Sequence, residues 1–335
     1  MNVITASLSI DSSKVLRPIT AVIPTLNRPE SIERAFLSLA EQTSLPAEII
    51  VIDGSDNLDT KNVLDRLRHS CLSSCRLIWT AAETLGAAAQ RNQGCALARQ
   101  PAILFFDDDI IFGDECLDRL WTGLHLDPRY GGISAMITNQ RYHPPGFVSS
   151  TMFMLMNGRR ESSYAGRVLG PVVNLLPEDR DGLPEVVAVE WLNTTCTLYR
   201  REALPIPPFD SVFTGYSLME DVTLSLRVGR NWKLANARTA QIFHDSQPGL
   251  HKSNLRALSC MSLFNRHYIM TQILHRDGFI DYLRLFIWEL FQLAITAKNE
   301  RLLAPFWRIL AGRMLAIWRI GTASPVKSSN DVTQK

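Results

Sequence analysis

Pro101-Ala102-Ile103-Leu104-Phe105-Phe106-Asp107-Asp108-Asp109-Ile110 is the stretch on which the fold turns. Six mostly apolar residues, Pro101 to Phe106, run straight into three consecutive carboxylates. An apolar run of that length reads as a strand buried in a parallel sheet. The acids then stand where the strand leaves the core, at the carboxyl edge where open α/β sheets bind ligands. Adjacent like charges repel, so a positive partner is expected to compensate them. A hard divalent cation suits the position, because it takes oxygen ligands and often carries substrate phosphates with it. The same acids would also suit a solvated loop, or an N-cap for the segment after Gly113.

Outward from that run, short apolar stretches alternate with helical spacing. Ile19–Pro24 reads as a strand, and Pro29–Glu41 as a helix with its proline in the first turn. Glu48–Asp53 reads as a second strand, ending in the turn Gly54-Ser55-Asp56. Asn57–His69 is helical, Arg76–Trp79 a short strand, and Ala87–Arg99 an alanine-rich helix. Strand and helix thus alternate four times in about 90 residues, which predicts an α/β fold: a mostly parallel, Rossmann-like sheet flanked by helices. Past Gly131 the pattern is irregular. Residues 138–184, rich in Pro, Gly and Arg, read as a long and partly mobile loop region. Strand-like runs return at 185–190, 195–199 and 239–243, with a helix over 220–228. From about Ser253 the chain reads as helical. The expected division is a flexible N-terminus at 1–17, an α/β domain at 18–250, a helical extension at 251–322 and a disordered tail at 323–335.

The bulk composition narrows the class. The chain has 335 residues, 46% of them hydrophobic and 20% charged, which is ordinary for a folded globular protein. A net charge of +2 gives no support to a dedicated nucleic-acid binder. Six scattered cysteines have no metal-binding spacing, and Met1–Arg17 lacks an apolar signal core. Together these predict a cytoplasmic setting with free thiols. No run of 18 apolar residues exists, so no membrane span is expected.

Four polar clusters fall at the strand ends. They are Pro24-Thr25-Leu26-Asn27-Arg28, Asp53-Gly54-Ser55-Asp56, Gly86-Ala87-Ala88-Ala89-Gln90-Arg91-Asn92, and the three acids. A parallel sheet would line all of them along one edge. Together with Glu220-Asp221 further on, their order and spacing resemble the family 2 glycosyltransferases of the GT-A fold. The resemblance covers roughly residues 18–245. It implies a nucleotide-sugar half at about 18–137 and an acceptor half at about 138–250.

The resemblance also implies roles. Pro24, Thr25, Asn27, Arg28, Asp53 and Asp56 would hold the nucleoside of a nucleotide-sugar. A carboxylate suits that task because it accepts hydrogen bonds from ring N–H or hydroxyl donors, although Asp53 would equally cap its own turn. Arg91 would bind phosphate oxygens with its guanidinium fork. Asp107 and Asp109 occupy the first and third positions of the family's D-x-D motif. On an extended backbone they would point the same way, toward one Mg²⁺ or Mn²⁺ shared with the diphosphate, with Asp108 pointing elsewhere. His244, at the end of a strand, would complete the metal shell or contact the diphosphate, imidazole suiting Mn²⁺ better than Mg²⁺, or would equally be a strand-end histidine with a backbone partner. Asp221 would be the base that removes the acceptor's hydroxyl proton, with Glu220 orienting it or the acceptor. First-turn acids also simply complement the helix dipole. Trp191 would stack on an acceptor sugar, or pack in the core. Arg266 would reach the diphosphate, while Arg227 would be a solvated helix residue.

The C-terminal helices carry a pattern of their own. Residues 281–297 and 304–320 are rich in Leu, Ile, Phe and Trp. Helical spacing gathers Arg301, Arg308 and Arg319 on one face, opposite Phe306, Leu310, Met314, Ile317 and Trp318. Arg313 interrupts that apolar face. The pattern suits peripheral contact with an anionic membrane surface, at the inner face of the cell membrane, and equally packing against the catalytic domain or a second subunit. The expectation is therefore an inverting, metal-dependent glycosyltransferase acting on a glycan or lipid-linked acceptor in bacterial glycan biosynthesis, without a nucleic-acid partner. Two other classes compete. A nucleotidyltransferase would want a glycine-rich loop after the first strand, and Pro24 to Pro29 has no glycine. A non-catalytic scaffold would have no use for both acidic motifs.

Overall fold

The computed structural model describes residues 14–246, 254–299 and 303–322. These fall into two compact units: one of residues 14–169 and 173–246, the other of 170–172, 254–299 and 303–322. The expected tails at 1–13 and 323–335, and Arg301, lie outside the described residues.

In the first unit, strand and helix alternate as the apolar spacing demands. The strands β1 (Val15–Thr25), β2 (Ser44–Asp53), β3 (Arg76–Ala81) and β4 (Ala102–Phe106) are separated by the helices α1 (Pro29–Ala40), α2 (Asp59–Arg68) and α3 (Ala87–Leu97). In α1, Pro29 starts the helix, and Ile32, Ala35, Phe36 and Leu39 recur at helical spacing on its buried face. Every residue of β4 is buried, as the opening stretch requires. Phe106 packs against Phe36 and Phe112 at ring-centroid distances of 6.1 and 5.2 Å. Burying each such ring contributes about 2–3 kcal/mol.

The remaining strands extend this sheet. They are β5 (Ile110–Phe112), β6 (Tyr130–Ile137), β9 (Val186–Val189), β10 (Cys196–Arg200) and β11 (Lys233–His244), with α4 (Cys116–His125) and α6 (Glu220–Val228) between them. The order is β3-β2-β1-β4-β10-β6-β11-β5, and β9 also pairs with β11. β1, β2, β3, β4, β6 and β11 run one way, while β5, β9 and β10 run against them. The sheet is mixed α/β and mostly parallel, as expected.

The structure departs from the sequence reading in several places, first in holding β5, α4 and β6 over 110–137, where no strand or helix was expected. β1 begins at Val15, so residues 15–17 join the sheet; Val15 already pairs with Ser44. The region 138–184 is not all loop: it holds α5 (Phe147–Asn157) and a hairpin of β7 (Val168–Leu169) and β8 (Val173–Asn174). Gly146 precedes α5 and Gly158, at φ 82°, ends it, so the glycines that read as loop are helix punctuation. β11 starts at Lys233, six residues before the predicted strand.

The second unit is helical: α7 (Leu255–Tyr268), a π turn at Ile269–Ile273, α8 (Phe279–Asn299) and α9 (Leu303–Thr322). Gly312 lets α9 press against α7, since a Cβ there would lie 2.3 Å from the Arg256 carbonyl oxygen. Glu289 is the hub of a half-buried ionic group. It accepts from Arg313 at 2.6 Å and faces Arg266 at 3.5 Å. Arg266 also donates to the Pro171 and Val172 carbonyls. Its guanidinium is therefore spent within this unit, and not on a diphosphate as the sequence suggested. Burial pulls the Arg266 pKa down to about 10.

Candidate active site

The sheet register aligns the polar clusters. Thr25 pairs with Asp53 at the ends of β1 and β2, and β4 delivers Asp107–Asp109 beside them. The chain does not stay extended through the acids; it turns at Asp108 and Asp109 and enters β5. β5 then runs antiparallel to the end of β11, pairing Ile110 with His244. That pairing seats the imidazole beside Asp109: His244 Nε2 lies 3.2 Å from Asp109 Oδ1. The Asp245 N–H donates to the Asp109 carbonyl at 2.8 Å, fastening the same junction. Asn139 clasps the His244 backbone through two hydrogen bonds, and Gln140 meets the ring Nδ1 at 3.0 Å.

The three acids go three ways. Asp107 accepts from Arg91 Nη2 at 2.6 Å. Asp109 accepts from Arg28 Nη1 at 3.1 Å. Asp108 turns back into the protein, accepting from Thr25 Oγ1 at 2.6 Å and from Arg28 at 3.1 Å. The positive partner that the acids need is thus supplied partly by arginine. Burial raises the Asp108 pKa to about 6, against the pull of Thr25 and Arg28. One donor atom each from Asp107, Asp109 and His244 lies within 4.8 Å of the other two. Two carboxylates and an imidazole at that spacing fit one Mg²⁺ or Mn²⁺.

Arg91 links this cluster to the second acidic motif. It is 3% exposed, and its other guanidinium nitrogen donates to Glu220 Oε1 at 2.8 Å. Burial works against the charge, but Asp107 and Glu220 outweigh it and hold the pKa above the ordinary arginine value. The fork that the sequence assigned to phosphate is therefore occupied by two carboxylates. A close backbone approach makes this possible. Gly86, at φ 129°, bridges to Gly215, and a Cβ on Gly86 would lie 3.0 Å from the Gly215 nitrogen. Ser217, fully buried, takes the Ala88 N–H at 3.3 Å. Gly215-Tyr216-Ser217 thus pins the start of α6 against the start of α3.

Glu220 is buried and Asp221 half-buried in the first turn of α6. Burial pushes both carboxyl groups well above the usual carboxylate range; for Glu220 the neighbouring charge of Asp221 adds to it. Asp221 also accepts the Val222 N–H at 2.7 Å. A half-buried aspartate with a raised pKa is a stronger base than a solvated one.

Other predicted residues sit differently. Asp53 is 1% exposed and accepts from the Ser55 N–H and hydroxyl and from the Trp79 indole, so it is locked in its turn rather than open to a nucleobase. Pro24 is half-buried, whereas Asn27 and Asp56 are exposed at the rim. Trp191 is buried, with its indole donating to the Leu175 carbonyl at 2.7 Å; it packs and presents no open ring face to a sugar. Arg227 is paired with Asp210 at 2.6 Å rather than solvated. Asn92 satisfies the Phe209 backbone in both directions.

Two organising residues receive no role from the sequence. Gln90 donates to the Thr25 and Ile52 carbonyls, tying α3 to the ends of β1 and β2. Gln140 lies in a stretch that reads as loop.

Comparison with known proteins agrees with this architecture. Residues 20–156 match the glycosyl transferase family 2 model. Over 101 residues the chain is 32% identical to validoxylamine A glucosyltransferase of Streptomyces hygroscopicus subsp. limoneus, covering 29% of this chain and 21% of that protein. The chain thus spans about a fifth of the length of that curated relative. Among solved structures it resembles the mannosyltransferase PcManGT from Pyrobaculum calidifontis, in complex with GDP-Man and Mn²⁺ (TM-score 0.53, 16% identity, 93% of this chain and 90% of that one). It also resembles residues 1–349 of S. aureus TarS (0.52, 18%, 89% and 80%). A third likeness is to GalNAc-T7 with UDP, GalNAc and Mn²⁺ (0.52, 15%, 87% and 58%). The fold is GT-A. The likeness to glycosyl transferase family 2 covers residues 20–156 of the chain.

Proposed function

We propose that the chain is an inverting, metal-dependent glycosyltransferase that moves a sugar from a nucleotide-sugar, with UDP the expected nucleotide, to a hydroxyl acceptor. The observation that carries this reading is the convergence of Asp107, Asp109 and His244 at the sheet edge that also holds Glu220 and Asp221. Asp221 accepts the proton of the acceptor hydroxyl as its oxygen attacks the anomeric carbon. The new C–O bond forms as the bond to the nucleoside diphosphate breaks, and the diphosphate leaves with the electron pair. One in-line displacement inverts the anomeric centre. Glu220, held by Arg91, keeps the first turn of α6 in place for that transfer. Asp107, Asp109 and His244 would hold Mg²⁺ or Mn²⁺, which when bound supplies positive charge beside the departing diphosphate. The Mn²⁺ named in two of the structural relatives supports this choice. Asn27, Arg28 and Asp56 are the nucleotide contacts best exposed for the task, with Thr25 and Asp53 shaping the floor beneath them.

The acceptor is read as a glycan or lipid-linked intermediate of bacterial glycan biosynthesis, met at the inner face of the cell membrane. The exposed apolar helices of the second unit support that setting.

Calorimetric titration of UDP, GDP and dTDP, with and without Mn²⁺, tests the site in wild type and Asp109→Ala. One nucleotide should bind only with the metal, and the variant should lose that binding. Metal-independent binding, or no binding of any of the three, would overturn the assignment.

A further inference from the structure

Helix α8 is apolar on two opposite sides. Inward, Leu285 and Trp288 are buried, and Glu289 faces Arg266 and Arg313. Outward, Phe279, Leu283, Phe286 and Leu290 recur at spacings of four, three and four, which keeps them on one face. Phe286 is 60% exposed and Phe279 81%. Ala294 and Ala297 continue the stripe, so it runs for about 27 Å without a charge. A helix apolar all round is normally covered on all sides.

Helix α9 repeats the arrangement. Gly312 and Ala316 form its inner face. Trp307, Ala311, Met314 and Trp318 form an outer stripe at the same four-three-four spacing, with Trp318 63% exposed. Exposed Arg308 and Arg319 flank that stripe. The sequence placed these arginines opposite the apolar face; the structure places the buried small residues there instead.

We propose that the outward faces of α8 and α9 lie on an anionic lipid surface, with the stripes in the acyl boundary and Arg308 and Arg319 among the headgroups. Charge decides between this occupant and a second copy of the chain. The acids among the described residues of the two helices are Asp281 and Glu289. Glu289 is consumed by two arginines, and Asp281 is half-buried. Copies joined through these two helices would offer Arg308 and Arg319 no exposed carboxylate among the helices' described residues, the nearest exposed acid being Asp277 just before α8. An anionic headgroup layer provides that partner. Exposed tryptophan is likewise favoured at the lipid–water boundary. Among the described residues no helix is long and apolar enough to cross a membrane, so the helices rest on the surface. The inference deepens the proposed membrane-side setting and rests on it only for the choice of lipid.

The test is co-sedimentation of the full chain with phosphatidylcholine vesicles, with and without phosphatidylglycerol. Wild type should partition onto anionic vesicles at least about tenfold more strongly than onto neutral ones. Phe286→Glu with Trp318→Glu should lower that partition on the order of 100-fold, and Arg308→Gln with Arg319→Gln should remove the preference for anionic lipid. All four positions are exposed, so an unchanged thermal melt and unchanged nucleotide-sugar hydrolysis in the variants would show that the fold is intact. Equal partition onto both vesicles would overturn the proposal. So would a lipid-free dimer, seen by sedimentation equilibrium, that Phe286→Glu dissociates. If wild type binds vesicles but hydrolyses no nucleotide-sugar, the transferase reading fails while the lipid face stands.

Discussion

Asp221 and Asp109 serve different steps of the proposed reaction, and each can be tested alone. Asp221 must be deprotonated to take a proton, and burial has raised its pKa above the usual carboxylate range. Activity should therefore fall as pH drops through that raised value, with an acid limb in kcat/KM higher than a free aspartate would produce. Asp221→Asn should lower kcat by about 10²–10⁴-fold and leave calorimetric nucleotide binding intact; lost binding would place Asp221 on the donor side instead. Asp108 and Asp109 are adjacent, yet only Asp109 faces His244, while Asp108 is bonded to Thr25. Asp108→Asn should keep metal-dependent nucleotide binding, measured as a Mn²⁺-dependent thermal shift, where Asp109→Ala abolishes it. Equal loss in both would mean that the D-x-D run acts as one block. The acids were legible in the chain because three carboxylates after a buried strand are conspicuous. Their separate partners were not, because Thr25, Arg28 and His244 come from other strand ends.

Helix α3 carries the side chains that organise the cleft, so its seat on the sheet matters. Gly94 is the contact point: a Cβ there would lie 2.3 Å from a methyl of Val22 in β1. Gly94→Ala should force α3 off β1, costing about 1–3 kcal/mol, read as a melting temperature lower by a few degrees. The same shift moves Gln90 and Arg91, so kcat should fall further than stability alone explains. An alanine variant with unchanged melting and turnover would show that the helix accommodates the methyl group. The alternation of strand and helix was readable from apolar spacing, which depends on near neighbours. Helix α5 was not, because Met and Phe carry its sequence between glycines and prolines, and its middle lacks an amphipathic stripe. It lies among residues whose composition speaks for loop.

Across the first unit, Arg91 joins residues that the chain keeps far apart. It bonds Glu220 across 129 positions, from α3 to α6. Arg91→Lys keeps the charge but loses the two-sided fork, and Glu220→Gln removes the acid. Each should destabilise the unit in chemical denaturation, and the double variant should fall short of their sum by about 0.5–3 kcal/mol. Simple additivity would mean that the pair is not coupled. The alternation of β1 to β4 with α1 to α3, the buried β4 with acids at its end and the apolar character of the last helices were all determined by the sequence, because periodicity and burial preference are properties of adjacent residues. Tertiary structure decided who meets whom. β5 folding back onto β11 puts His244 against Asp109 across 135 positions, and α9 turning Gly312 and Ala316 inward leaves its tryptophans outside. Partners of that kind are selected by strand order and close packing, and no local pattern encodes either.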